Sequence, residues 1–399
     1  MSFILFFVLW ATVLGLLYFY AGRRLIGPST LGTRGRWLAW TGVLIAFLLP
    51  LIPFFFFLKR IESTLTDDVA WAGYAVLGLF SLVVTFVALR DAVFGGWRVA
   101  GRIGRLRARG TARETVNQER RTFLIRSSNL GILGASASLA AYGAYESHRR
   151  PDIVRVSVAL PRLPVEFEGC TLAQFSDIHV GPTIKRALVE RVVHELRELH
   201  PEMILFTGDL VDGTVPWLRD DVAPLADLHA PSGKYFVTGN HEYYSGVGPW
   251  VEHASRLGFI VLMNEHRVIA RGRGRIVLAG VTDYGAAQFA PDQASDPVAA
   301  LHGAPEGLVR ILMAHQPRSI FAAATAGVDL QLSGHTHGGQ FFPWNYLATL
   351  NQPYITGLHR HGSTQIYVNR GTGYWGPPLR LGIPPEITLI TLSRDRVSS

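Results

Sequence analysis

From residue 171 onward the chain repeats one pattern six times: a short apolar run closed by a polar cluster. Leu172 to Phe175 leads to Asp177 and His179, and Met203 to Phe206 leads to Gly208 and Asp209. Tyr235 to Val237 leads to Gly239, Asn240 and His241, and Ile276 to Ala279 leads to Thr282 and Asp283. Val309 to Met313 leads to His315, and Val328 to Leu332 leads to His335 and His337. Short unbroken apolar runs are strands covered on both faces. An α/β sheet binds its ligands beyond the carboxyl ends of such strands. Between the first two runs, Ile184, Leu188, Val192, Leu196 and Leu199 form one stripe, which predicts a helix over 183–199 stopped by Pro201. A second helix is expected over 248–257. Residues 151–169 read as a strand and linker, and 283–300 as an exposed loop. Gln365 to Val368 and Glu386 to Leu392 alternate with no helix between them. The expected fold of 151–399 is α/β, a two-sheet sandwich with helices outside.

The first third of the chain follows different rules. Residues 3–21, 37–58 and 69–89 are apolar and uncharged, each about 20 residues long. That length crosses roughly 30 Å of hydrocarbon as a helix. Pro50 and Pro53 predict a kink in the second run. A fourth run, 129–145, is shorter and rich in Gly, Ala and Ser; a buried soluble helix would read the same way. Residues 1–150 are thus expected to be an all-α transmembrane region of about four helices.

Charge supports this division and orients it. Residues 1–150 hold 18 Lys/Arg and 7 Asp/Glu, whereas 151–399 hold 20 and 23. The net +8 therefore belongs to the helical third, and no basic, aromatic-interleaved face points to nucleic acid. The loop after 3–21 carries Arg23, Arg24, Arg34 and Arg36 with no acid, and 90–128 carries ten Arg against three acids. Lys59 and Arg60 face Glu62, Asp67 and Asp68 in the loop between them. Positive loops stay cytoplasmic. The expectation is a multi-pass protein of the cytoplasmic (inner) membrane with residues 151–399 extracytoplasmic, although His148, Arg149 and Arg150 oppose it. Arg120-Arg121-Thr122-Phe123-Leu124 ahead of 129–145 resembles a twin-arginine export signal in an unusual internal position; an arginine-rich loop is the plain alternative. Cys170 is the only cysteine, which excludes an intrachain disulfide and a cysteine zinc site.

The polar clusters share one chemistry. A hydrolytic two-metal centre needs hard or borderline ligands, a bridging carboxylate and open positions. Asp177 and His179 alternate on extended chain, so both side chains can face one way. Asp209 follows a glycine, which lets backbone approach closely. Asn240 offers a neutral amide oxygen, and His335 and His337 share a face between flanking glycines.

With these residues the chain resembles the calcineurin-like metallophosphoesterase family. Its blocks stand here as Asp177-x-His179, Gly208-Asp209-Leu210-Val211-Asp212, Gly239-Asn240-His241-Glu242, Ala314-His315 and Gly334-His335-Thr336-His337, in the family's order. Glu242 departs from the family's frequent Asp. The late Asn369-Arg370-Gly371-Thr372-Gly373 resembles a bacterial membrane-associated or exported branch. The resemblance implies two divalent metal ions, with Mn, Zn and Fe equally admissible. One would be held by Asp177, His179, Asp209 and His337, the other by Asp209, Asn240, His315 and His335. It implies that His241 contacts phosphate and protonates the leaving oxygen, with Asp212 orienting it, although an ordinary turn aspartate reads the same. A metal-bridging hydroxide would then attack phosphorus in line, hydrolysing a phosphodiester or phosphomonoester. A lipid- or wall-linked substrate follows only from the membrane anchor. The alternatives are a non-catalytic metal-binding or regulatory domain and an accessory to a transporter or receptor formed by the spans.

Other residues are read more plainly. His194, His200, His229, His253 and His266 are expected at the surface. His359 and His361 could reach substrate. Arg370 and Arg380 either bind a second phosphate or pair with acids. Tyr243, Tyr244 and Trp375 could stack on substrate, with apolar packing preferred.

Overall fold

In a computed structural model, residues 3–107 and 118–394 are described. The middle of the arginine-rich 90–128 segment and the last five residues of the 151–399 domain lie outside them. The chain divides into two compact units, one holding residues up to 61 and 68–143, the other 62–67 and 144 onward.

The first unit is helical: α1 (Phe3–Ile26), α2 (Thr33–Leu48), α3 (Leu51–Lys59), and most of α4 (Thr64–Arg107) and of α5 (Gln118–His148). The span expected over 37–58 is kinked: α2 and α3 join through Leu49 and Pro50, both of which keep right-handed helical angles. Proline has no N–H to give and clashes with the preceding turn, and the kink falls at Leu49-Pro50. Among the described residues, two stretches are long and apolar enough to cross a bilayer, Thr33–Lys59 and Thr64–Gly101. The run 129–145 lies inside α5, together with Arg120–Leu124.

The second unit has the elements β1 (Asp152–Ala159), β2 (Thr171–Phe175), α6 (Arg186–Glu198), β3 (Met203–Phe206), α7 (Val215–Val222), β4 (Lys234–Phe236), α8 (Asn240–Ser245) and α9 (Val247–Arg256). Then come β5 (Ile260–Val261), β6 (Glu265–Arg271), β7 (Gly274–Gly280), α10 (Pro297–Ala300), β8 (Arg310–Met313), α11 (Ile320–Thr325), β9 (Leu330–Ser333), α12 (Trp344–Ala348), β10 (Gly357–His361), β11 (Thr364–Val368) and β12 (Glu386–Ser393). They build two mixed sheets, ordered β1-β12-β2-β3-β4-β5 and β10-β11-β9-β8-β7-β6. Strands β2, β3 and β4 are parallel in the first, and β7, β8 and β9 in the second. This is the expected α/β sandwich.

The apolar runs lack alternation because both faces of each strand are covered. Leu172, Met203, Leu205 and Tyr235 point inward, against Ile276, Leu278, Ile311 and Leu332 of the other sheet. Ala173, Phe175, Ile204, Phe206 and Phe236 point outward under Leu188, Val192 and Leu196 of α6 and Trp250 of α9. On the far side Val277, Ala279 and Leu312 meet Ala300 and Ala323.

Two expectations shift. The helix expected at 183 begins at Arg186, because Lys185 is extended (φ −125°, ψ −179°). The loop expected over 283–300 contains α10, whose first turn is capped by Asp296 Oδ1 accepting from Val298 N (2.9 Å) and Ala299 N (3.0 Å). Pro297 and Ala300 are buried there, which a composition of Ala, Asp, Gln and Pro does not disclose.

Candidate metal centre

The carboxyl ends of the parallel strands of both sheets deliver the polar clusters to one place. Asp177 and His179 follow β2, Asp209 follows β3, Asn240 and His241 follow β4, His315 follows β8, and His335 and His337 follow β9. In each of three groups the ligating atoms lie within 4.8 Å of one another: Asp177, His179 and His337; Asp209, His315 and His335; and His179, Asp212 and His241. His337 Nε2 is 3.0 Å from His179 Nε2 and 3.5 Å from Asp177 Oδ1. His315 Nε2 is 3.0 Å from Asp209 Oδ2 and 3.2 Å from His335 Nδ1.

The backbone is bent to make this possible. Asp177, His179, Asp209, His335 and His337 all have positive φ, between 50° and 71°. A left-handed non-glycine residue costs roughly 1–3 kcal/mol and persists where its surroundings over-determine it. Here they do. Asp177 accepts His335 N at 3.0 Å, and His241 N donates to Asp209 Oδ1 at 2.9 Å. Two glycines are required by space: a Cβ on Gly239 would lie 2.1 Å from Asp209 Oδ1, and one on Gly334 2.0 Å from Ser176 Oγ.

Glu242, left without a role by the sequence, ties two of these turns together. Its carboxylate accepts from Asp209 N (3.0 Å), Leu210 N (2.8 Å) and Gly239 N (2.6 Å). Burial and the neighbouring Asp209 carboxylate push its pKa up to about 8. The signal in the sequence is an acid three residues after Gly239, at the N-terminus of α8, which is a capping position.

Electrostatics sort the cluster. Burial works against the Asp209 charge, but His315 and His241 hold its carboxyl well below the usual range. Burial likewise opposes a charged His315, and the Asp209 carboxylate overrides it, raising that imidazole. His335 is pushed down to about 3 by burial and then by His315. His241, although buried, is raised to about 9 by Asp212 and Asp209. Asp212 Oδ1 accepts from His241 Nδ1 and stands 3.3 Å from His179 Nδ1.

The donor set fits divalent cations. His315 Nδ1 donates to Thr207 O at 2.8 Å, which turns Nε2 toward Asp209 and His335 as the ligating atom. The Asn240 Oδ1 atom is buried and bonded to no group among the described residues. Hard oxygen and borderline imidazole donors converge with no thiolate among them, which leaves Mn, Fe and Zn all acceptable.

Residues outside the cluster fall as follows. His194, His200 and His229 are exposed, and His253 and His266 half-buried. His359 and His361 lie on the edge strand β10. Arg370 pairs with Glu386. Arg380 does neither thing expected of it: it is fully buried and donates to the carbonyls of His337, Arg370, Gly371 and Gly373, and to His337 Nδ1 at 3.1 Å. Tyr243 packs inside, but Tyr244 and Trp375 are 38% and 55% exposed, against the preference for packing.

The sequence profile of the calcineurin-like phosphoesterase family matches residues 170–339. A zebrafish (Danio rerio) transmembrane protein with metallophosphoesterase domain is 35% identical over 331 residues, covering 81% of this chain and 73% of its own. An uncharacterized metallophosphoesterase of Helicobacter pylori strain ATCC 700392 / 26695 is 39% identical over 268 residues, covering 65% and 70%. The uncharacterized metallophosphoesterase YkuE of Bacillus subtilis strain 168 is 32% identical over 285 residues, covering 68% of this chain and 97% of that one.

Proposed function

The chain belongs to the calcineurin-like phosphoesterase family, and on that premise we propose that it is a dinuclear metal-dependent phosphoesterase held at a membrane. The observation that carries the reading is the place of Asp209 between two ligand groups: its Oδ2 lies 3.0 Å from His315 Nε2 of one and 3.7 Å from His179 Nε2 of the other. Asp177, His179, Asp209 and His337 would hold one ion. Asp209, Asn240, His315 and His335 would hold the second. Two such ions, when bound, supply charge against the phosphoryl oxygens and a hydroxide nucleophile at neutral pH.

The protein's own groups do the rest. His241 donates a proton to the leaving oxygen from the nitrogen opposite its Asp212 bond. Asp212 fixes the ring orientation and keeps that imidazole cationic. Glu242 holds the Asp209 and Gly239 turns at a fixed separation. The substrate is a phosphodiester or phosphomonoester, with lipid- or wall-linked esters favoured by the apolar helices. Those helices and the name of the zebrafish relative support membrane attachment. Loop charge supports a multi-pass arrangement in the cytoplasmic membrane with the sandwich outside.

The test is hydrolysis of bis-p-nitrophenyl phosphate and p-nitrophenyl phosphate by purified protein with Mn²⁺, Zn²⁺ or neither. Metal-dependent release of nitrophenolate is expected, and H241Q should lower kcat by about 10²–10⁴ while metal content holds. No turnover with any metal would leave a binding module instead.

A further inference from the structure

The acid at the proposed leaving oxygen does not face open water. The ring of His241 meets Trp375 edge-on at 5.8 Å between centroids and Tyr244 at 5.1 Å. Tyr244 in turn meets Phe289 at 5.3 Å. The result is a continuous row, Trp375–His241–Tyr244–Phe289, drawn from three separate stretches of chain. His241 is buried within it, while the rings beside it are exposed: Trp375 and Phe289 are 55% and 54% accessible. Large aromatic side chains normally bury most of their surface. Contiguous exposed apolar surface beside a reactive group marks a binding site more often than chance packing.

The row is also built. Gln340, at the end of the stretch that carries His335 and His337, grips the backbone of Trp375 from both sides. Trp375 N donates to Gln340 Oε1 at 3.0 Å, and Gln340 Nε2 donates to Trp375 O and Pro377 O, each at 3.0 Å. Gln340 is itself buried and holds a positive φ of 58° to do so. One side chain thus couples the ligand-bearing turn to the indole. A loop tip that merely happened to carry a tryptophan would not need this fastening.

We propose that Trp375, Tyr244 and Phe289 form the subsite for the departing alcohol, and that this alcohol carries an extended apolar body. The inference rests on the reading of His241 as the acid at the leaving oxygen. Whatever alcohol departs must lie against the face that His241 presents, and that face continues as rings. The nearby cations are already engaged: Arg370 with Glu386, and Arg380 with backbone carbonyls and His337. A second phosphate would find ring surface, with these arginines already paired, where it needs free cations and hydrogen-bond partners. An alkyl or acyl chain finds a match.

The experiment measures octylphosphonate, methylphosphonate and glucose 6-phosphate as competitors of bis-p-nitrophenyl phosphate hydrolysis. The same constants are read by titration calorimetry on the Mn²⁺-loaded full-length protein. We expect octylphosphonate to bind at least tenfold tighter than methylphosphonate, a gain that two buried methylenes supply. Trp375→Ala and Phe289→Ala, both at exposed positions, should each cut that ratio at least threefold. Gln340→Leu should cut it too, through the released indole. A ratio near one in the wild type, a ratio indifferent to the ring substitutions, or glucose 6-phosphate competing as well as octylphosphonate would overturn the proposal. Absence of turnover with the calorimetric ratio intact would defeat the phosphoesterase reading and leave the apolar subsite standing.

Discussion

The middles and the ends of the same strands obey opposite rules. In β2, Leu172, Ala173 and Phe175 are fully buried and the backbone is regular. Two residues further on, Asp177 is just as buried but carries a carboxylate and a left-handed backbone, as does Asp209 after β3. The middle gains from removing apolar surface from water, at about 25 cal/mol per Å². The end buries Ile178, Val180, Leu210 and Val211 in the same way, but its polar groups gain nothing of that kind. It is held in place by bonds from elsewhere: three N–H groups on Glu242, the His335 N–H on Asp177, and the Arg380 guanidinium on four carbonyls. Stability is built in the middle, and local rules are broken at the end, where a ligand can repay the strain.

The largest expected effect comes from breaking the end alone. Asp209→Asn keeps the shape but removes the charge shared by both proposed ions. Metal-dependent hydrolysis should fall on the order of 10³-fold or more, with denaturant unfolding still a single transition. Full activity in this variant, measured with bis-p-nitrophenyl phosphate and saturating Mn²⁺, would end the bridging role.

This contrast also decides what could be read from the sequence. Strands β2, β3, β8 and β9 were legible because residues covered on both faces leave unbroken apolar runs. Strand β5 was not, since it is two residues long, and β6 was not, since only Ile269 of its seven residues is buried. The ligands were legible because metal-competent residue types stand directly after apolar runs. Their fastenings were not. Glu242 acts on Asp209, 33 positions away, and Gln340 on Trp375, 35 positions away. Neither distance has a periodicity or a motif to announce it. Arg380 illustrates the same limit, because a lone arginine between leucines carries no sign that it is fully buried.

A smaller effect should appear when the middle is broken and the end spared. Leu205 lies in the layer between the sheets with no exposed surface. Leu205→Ala should destabilise the sandwich by about 2–5 kcal/mol, read as a lower denaturant midpoint. Activity per folded molecule should hold within about twofold. A matching loss of activity in the folded fraction would show that middle and end are not separable.

The smallest effect tests whether a charge can sit at the buried start of a strand, opposite the end that carries the ligands. Lys234 of β4 is buried; its Nζ donates to Leu225 O (2.9 Å) and Ala226 O (3.1 Å) and lies over the Phe259 ring. Burial lowers its pKa from 10.5 to about 8. Between those values the unfolded chain binds more protons than the folded one. Stability from this group therefore rises with pH across roughly 8 to 10.5, and the charged form is a burden below that window. Lys234→Met orphans two carbonyls and should lower stability near neutral pH, at a cost of about 1–3 kcal/mol. Its distinguishing mark is the slope. Relative to wild type, the variant should lose stability as pH climbs from 8 to 10.5, because the wild-type gain is absent. Parallel stability curves for the two proteins over that range would mean that the two carbonyls fully replace water around the ammonium, and that the buried start of a strand tolerates a charge as readily as its ligand-bearing end.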